Sequence, residues 1–166
     1  MDQIGTHAGY IPENPLDPLY PAVVMTLRDI VSHCEKNGQK FLFETGQETP
    51  ITLLRLIDDI GKKNTGVNFD PANLLMYGKA NPVDALDIIG EFVMDVHAKD
   101  GEYPVNGKKL GVEKPLGQGR VNFPRFIGRL KELGYNGPIT IEREISGEQQ
   151  RKDIIEGIKF LEPLIA

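Results

Sequence analysis

Tryptophan is absent, cysteine occurs once and histidine three times. A lone Cys34 excludes an internal disulfide and any zinc cage built from several thiolates. Excess positive charge is also missing. Lys and Arg number 19 against 24 Asp and Glu, a formal net charge of −5, so a phosphate backbone is not the expected partner. No apolar run approaches the roughly 20 residues of a membrane span, and the first ten residues lack the basic start and apolar core of a secretory signal. No tandem repeat or low-complexity tract is visible. The glycine-rich fingerprint of a dinucleotide fold is missing too: GQGR at 117–120 follows no strand and reads as loop. What is left is an ordinary globular composition, 40% hydrophobic and 26% charged. One cytoplasmic domain spanning 1–166 is expected, with no nucleic acid and no membrane as partner.

Short β-rich runs alternate with amphipathic segments. The runs are 3–8, 40–44, 66–70, 92–98 and 138–142. Between them lie helix signals: Pro21 ahead of Val24, Leu27, Ile30, Val31 and Cys34, then Gly38; Thr49-Pro50 ahead of Leu53, Leu54, Ile57 and Ile60, then Gly61; Asn81-Pro82; Asn122 to Pro124; and Ser146 ahead of Ile154, Ile155, Ile158 and Leu161. Strands alternating with helices predict parallel βα units of the α/β class, either an open sheet or a barrel.

Side chains alternate along a strand. Glu44 shares a face with Leu42, Asp70 with Asn68, His97 with Asp95, and Glu142 with Thr140. The opposite faces carry Phe41 and Phe43, Val67 and Phe69, Met94 and Val96, Ile139 and Ile141. The apolar faces would lie under helices and the polar faces would line an interior. Glu44, Asp70, His97 and Glu142 each close a strand, at spacings of 26, 27 and 45 residues. The first two spacings are one βα unit. The third is a unit plus a long loop, 101–119, with five glycines and two prolines. In a βα barrel the loops after the strands form the active face. Two Glu, one Asp and one His meeting there suit one divalent ion: Mn²⁺, Mg²⁺, Co²⁺ or Zn²⁺. The alternative for each residue is a helix cap or a surface charge. His7, at the end of the first strand, and Lys99, Lys114 and Arg120, in or near the active-face loops, could contact a substrate or hold its anionic group.

FLFETGQET (41–49), NFDPAN (68–73), DVHAKD (95–100) and PLGQGRVNFPRFIGRLKELGYNGPITIERE (115–144) resemble the sugar phosphate isomerase/epimerase family. That family has the xylose-isomerase-like TIM-barrel fold and includes ketose 3-epimerases and inosose dehydratases. The resemblance implies that Glu44, Asp70, His97 and Glu142 hold one divalent metal and that Glu44 and Glu142 are also the acid/base pair. It implies proton abstraction next to a carbonyl of a sugar or sugar phosphate, through a metal-stabilised enediolate. Asn73 stands where the ketose epimerases carry a substrate-binding His three positions after the aspartate. Gln47 and Glu48 are the nearest candidates for their acidic residue after the first glutamate.

A TIM barrel needs eight units and about 250 residues. Five are present here, and by resemblance they are strands four to eight of an incomplete barrel. Unpaired sheet edges invite association, so a homo-oligomer is expected. The competing functions are a non-catalytic half-barrel remnant, an inosose-type dehydratase and an endonuclease IV-like repair enzyme. The last needs several more histidines than this chain has, including one at the position of Asn73.

Overall fold

Parallel strands cannot be joined by tight turns, so each needs a long return over one face of the sheet. The computed structural model describes residues 2–166, and in it the returns are helical. The strands β1 (Gln3–Thr6), β2 (Lys40–Glu44), β3 (Thr65–Phe69) and β4 (Val93–Ala98) pair in that order. A hairpin of β5 (Asp100–Gly101) and β6 (Glu113–Lys114) comes next, and β7 (Ile139–Ile141) then pairs with β4. All four pairings of the five-stranded sheet are parallel. The helices are α1 (Tyr20–Lys36), α2 (Pro50–Ile60), α3 (Pro71–Met76), α4 (Pro82–Ile89), α5 (Phe123–Glu132) and α6 (Glu148–Ile165).

The sheet curls into a half-barrel. Neighbouring strands lie about 4.8 Å apart, so a flat sheet would place β1 about 14 Å from β4. Yet Gln3 at the start of β1 donates from Nε2 to Asp95 Oδ2 of β4 at 3.1 Å. The outer face carries Phe41, Phe43, Val67, Phe69 and Val96, which pack with Val31, Leu56, Ile89 and Phe126 of the helices in one core cluster. Leu42 is buried on the inner face, so β2 reads as an apolar run, as strands covered on both sides do.

Local signals set the boundaries. Thr49 caps α2 by accepting from the Thr52 N–H, Pro50 fits its first turn, and Gly61 ends it in the left-handed region. Asn81 caps α4 through Val83 and Asp84. The final helix opens at Glu148 rather than Ser146, behind Gly147 at φ 85°. The first strand stops at Thr6, so His7 lies in the loop beyond it. Two elements escape the sequence pattern. α3 is six residues long and wholly buried, so it has no amphipathic stripe. The hairpin has two residues per strand, too short for any period.

A register shift between β3 and β4 matters for the site. Val67 faces Val93, but Asn68 faces Asp95, which leaves Met94 as an extra residue. Such a bulge re-aims the side chains beyond it. Met94 therefore departs from simple alternation and lies by Gly66, where a Cβ would sit 2.7 Å from its Sδ and 2.9 Å from Leu42 Cδ2. Asp95 and His97 come into phase with Asn68 and Asp70.

Asp100 organises the long loop. Its buried carboxylate accepts four backbone N–H groups: Gly101 and Val121 on Oδ1 at 2.9 and 3.1 Å, Gly117 and Gly119 on Oδ2 at 3.0 and 2.9 Å. The segment Gly-Gln-Gly thereby acquires a reason. Gly117 has φ 81°, and a Cβ on Gly119 would collide with Asp100 Oδ1. Removing the carboxylate strands several buried donors. Asp100→Ala is expected to cost about 3 kcal/mol, read as a lower urea midpoint.

Candidate metal centre

The curl brings the four strand ends together. Glu44 is the last residue of β2, Asp70 follows β3, His97 is the penultimate residue of β4, and Glu142 follows β7. One ligand atom from each lies within 4.8 Å of every other. His97 Nδ1 stands at the centre, 3.4 Å from Glu44 Oε1, 3.8 Å from Asp70 Oδ2 and 3.2 Å from Glu142 Oε2.

Each side chain is held from behind. Asp70 uses one oxygen as a helix cap, with Oδ1 accepting the Asn73 N–H at 2.9 Å. Its strand end is pinned by Thr45, whose hydroxyl donates to Asp70 O and accepts from Asp70 N. Asn73 is buried, donates to Thr45 O and lies 3.5 Å from Glu44 Oε1. On the far side of the His97 ring, Asn68 Nδ2 and His97 Nε2 are 3.0 Å apart.

Two atoms report on what the cluster suits. Asp70 Oδ2 and His97 Nδ1 are buried and make no hydrogen bond, although buried polar atoms are nearly always paired. Both face the point that Glu44 and Glu142 also face. Ligands across a six-coordinate Mg²⁺ lie about 4.2 Å apart, the scale of this cluster. A carboxylate-rich set with one imidazole fits a divalent ion of the Mg²⁺, Mn²⁺, Co²⁺ or Zn²⁺ type.

The remaining candidates divide. Lys99 is not a solvated loop charge. It is 2% exposed, and its Nζ lies 3.2 Å from Glu142 Oε2, 3.6 Å from Asp70 Oδ2 and 2.8 Å from Glu144 Oε2. Glu44, Asp70 and Glu142 bring three negative charges; a divalent ion cancels two of them and Lys99 the third. His7 Nε2 lies 3.5 Å from Glu44 Oε1, with its side chain half exposed. Glu48 is buried nearby, its carboxyl raised by burial. Lys114 pairs with Glu102 at 3.7 Å instead. Arg120 is exposed and is not brought into the cluster; its backbone N–H closes the loop onto Gly101 O. Sequence reading passed over Thr45 and Asp100, whose partners are backbone groups that only the fold brings near.

The electrostatics follow from the crowding. Burial works against charge on His97, but the close approach of the Asp70, Glu142 and Glu44 carboxylates pushes its pKa up to about 12. The same contact with His97 holds Glu142 down to about 2, against its own burial. Burial raises Asp70, against the pull of His97 and Lys99. A histidine raised on folding stabilises the native state fully below its ordinary value of 6.5, and that contribution is lost as pH climbs toward 12. Glu142 contributes above its ordinary 4.5 and loses this as pH falls toward 2. The chelator-treated protein should therefore lose melting temperature between pH 6.5 and 9, and His97→Gln should flatten that slope.

Comparison with known proteins identifies the fold and the family. The family model described as xylose isomerase-like TIM barrel matches residues 1–164. The uncharacterized protein MJ1311 of Methanocaldococcus jannaschii is 33% identical over 162 residues, covering 90% of this chain and 54% of that protein. The structure of a xylose isomerase domain protein from Planctomyces limnophilus is 41% identical with a TM-score of 0.93, over 98% of this chain and 59% of that one. Two structures share the fold at lower identity. The probable 3-DHS dehydratase AsbF of Bacillus anthracis is 20% identical with a TM-score of 0.77, over 96% of this chain and 63% of that one. D-psicose 3-epimerase of Clostridium cellulolyticum H10, solved with D-tagatose, is 16% identical with a TM-score of 0.73, over 99% and 64%. The chain thus spans between about half and two thirds of the proteins it matches. It belongs to the xylose isomerase-like TIM barrel family.

Proposed function

We propose that this chain carries the metal and proton-transfer site of a sugar or sugar-phosphate isomerase or epimerase. The observation that carries the reading is the convergence of Glu44, Asp70, His97 and Glu142, with buried, unpartnered polar atoms of Asp70 and His97 aimed at one point. Family membership supports it, as do the fold shared with D-psicose 3-epimerase and the likeness to a xylose isomerase domain protein.

Exposure supports a division of roles. The Asp70 side chain is fully buried, whereas Glu44 and Glu142 are 14% and 30% exposed. A substrate can touch the glutamates and not the aspartate. Asp70 and His97 are then ligands only, while Glu44 and Glu142 hold the ion and exchange protons with carbon. When bound, the divalent ion polarises the substrate carbonyl and acidifies the adjacent C–H. One glutamate removes that proton, and the other, carrying a proton, returns one to the opposite face. His7 stands where it can hold a substrate oxygen, Lys99 is buried as a counter-charge to the carboxylates rather than open to substrate, and Asn73 positions Glu44. Among the described residues β1 and β7 each pair on one side only, and self-association of the chain through these edges is part of the proposal.

Mn²⁺ at a hundredfold excess over its dissociation constant should stabilise the chelator-treated chain by about 2.7 kcal/mol, a rise of roughly 5–10 °C in melting temperature. The double variant Glu44→Gln, His97→Ala should show none. No shift with Mn²⁺, Mg²⁺, Co²⁺ or Zn²⁺ would leave a non-catalytic half-barrel. In deuterium oxide, a panel of ketoses and their phosphates should return with one exchanged C–H, abolished by Glu142→Gln. Loss of water to give an unsaturated product would indicate a dehydratase instead. Light scattering should give a mass above that of one chain.

A further inference from the structure

Resting on the metal reading of the site, we infer that Asn68 is the positioning residue for His97: its side-chain amide decides whether the ring meets the ion with a free Nδ1 or with an Nδ1–H. His97 Nδ1 faces the three carboxylates and Nε2 faces Asn68. A neutral imidazole carries one proton, and a metal takes the nitrogen without it. Ligation through Nδ1 therefore places the proton on Nε2, and that N–H needs an acceptor behind the ring. Asn68 is the residue in place: its Nδ2 lies 3.0 Å from Nε2, and a half turn of the amide brings Oδ1 there to accept.

An amide is suited to this task because it is both donor and acceptor. With Nδ2 toward the ring, Asn68 donates to Nε2, and the proton sits on Nδ1 among the carboxylates. With Oδ1 toward the ring, Asn68 accepts from Nε2–H and frees the Nδ1 lone pair. The two ends of a carboxamide are nearly the same size, so a half turn exchanges one state for the other. Nothing holds the other end against that turn. Asn68 Oδ1 is buried and has no hydrogen-bond partner, so rotation breaks only the bond to His97, which the other end remakes. The bulge at Met94 supplies the register, since it sets Asn68 opposite Asp95 and brings the His97 ring beside it. A hydrocarbon at position 68 would fill the space and offer Nε2–H no acceptor. A carboxylate would accept and never donate, fixing the ring in the metal-binding form.

Two measurements test this. Calorimetric titration of the chelator-treated chain with Mn²⁺ should show Asn68→Leu weakened by roughly 10–100-fold and Asn68→Asp as tight as the unaltered chain. Nitrogen-15 NMR of the unaltered chain loaded with Zn²⁺ should show the His97 proton on Nε2 and the metal on Nδ1. A folded Asn68→Leu that binds Mn²⁺ like the unaltered chain overturns the proposal, as does a ring ligated through Nε2. The NMR result stands by itself if Asn68→Leu does not fold. An unaltered chain that takes up neither ion refutes the metal reading itself, and this inference with it.

Discussion

Three carboxylates and one imidazole meeting within 4.8 Å is the constraint that the rest of the half-barrel serves. Like charges at that distance and partly out of water repel strongly, and no chain gathers them without compensation. Compensation is built in at three ranges. Lys99 supplies a cation buried beside Glu142 and Asp70. Backbone and amide donors supply dipoles, as when the Asn73 N–H meets Asp70 Oδ1. His97 supplies an adjustable charge. The unpartnered polar atoms that remain, Asp70 Oδ2 and His97 Nδ1, are those a divalent ion would use.

Asp70 shows why a helix cap and a metal ligand are not alternatives. A carboxylate has two oxygens, and here they divide the work. Oδ1 accepts from the first turn of α3, while Oδ2 faces His97. The cap fixes the rotamer, and a fixed rotamer makes the second oxygen a reliable ligand. The reciprocal bonds of Thr45 with the Asp70 backbone lock the ends of β2 and β3 to each other. The short, buried α3 thus has a job out of proportion to its length: it turns one strand-end carboxylate into an oriented one.

Much of this was legible without coordinates, because it depends on local period. Alternation along Phe41–Glu44 and Val67–Asp70 separates the helix-facing side from the interior, and unit spacing puts Glu44, Asp70 and His97 at equivalent strand ends. What could not be read depends on contacts between distant segments. Met94 breaks alternation because β4 carries one more residue than β3 at that point. Lys99 looks like a loop charge until its neighbours Glu142 and Glu144, more than 40 positions away, are in place. Asp100 gives no hint that Gly117 and Gly119 will turn their N–H groups onto it. Alternation supplied the faces of Glu44, Asp70, His97 and Glu142 and strand-end spacing grouped them; the resemblance of the motifs to a barrel family added the roles it implies.

Under the proposed function, holding an ion and choosing a substrate would fall to different parts of the fold. The proposed ligands come from β2, β3, β4 and the end of β7, a continuous run of paired strands, so their spacing is set by backbone hydrogen bonds and shifts little with loop sequence. Groups that would face a substrate lie at the rim: His7 in the loop after β1, and the partly exposed edges of Glu44 and Glu142. Loops tolerate change that strands do not. Under the proposed function, a fold arranged in this way would keep one proton-transfer centre while different loops present different substrates to it. Within that scheme the rigid part must be very well positioned, since an ion tolerates displacements of only a few tenths of an ångström in its ligands. That demand fits the burial and bonding of Thr45 and Asn73 behind the proposed ligands.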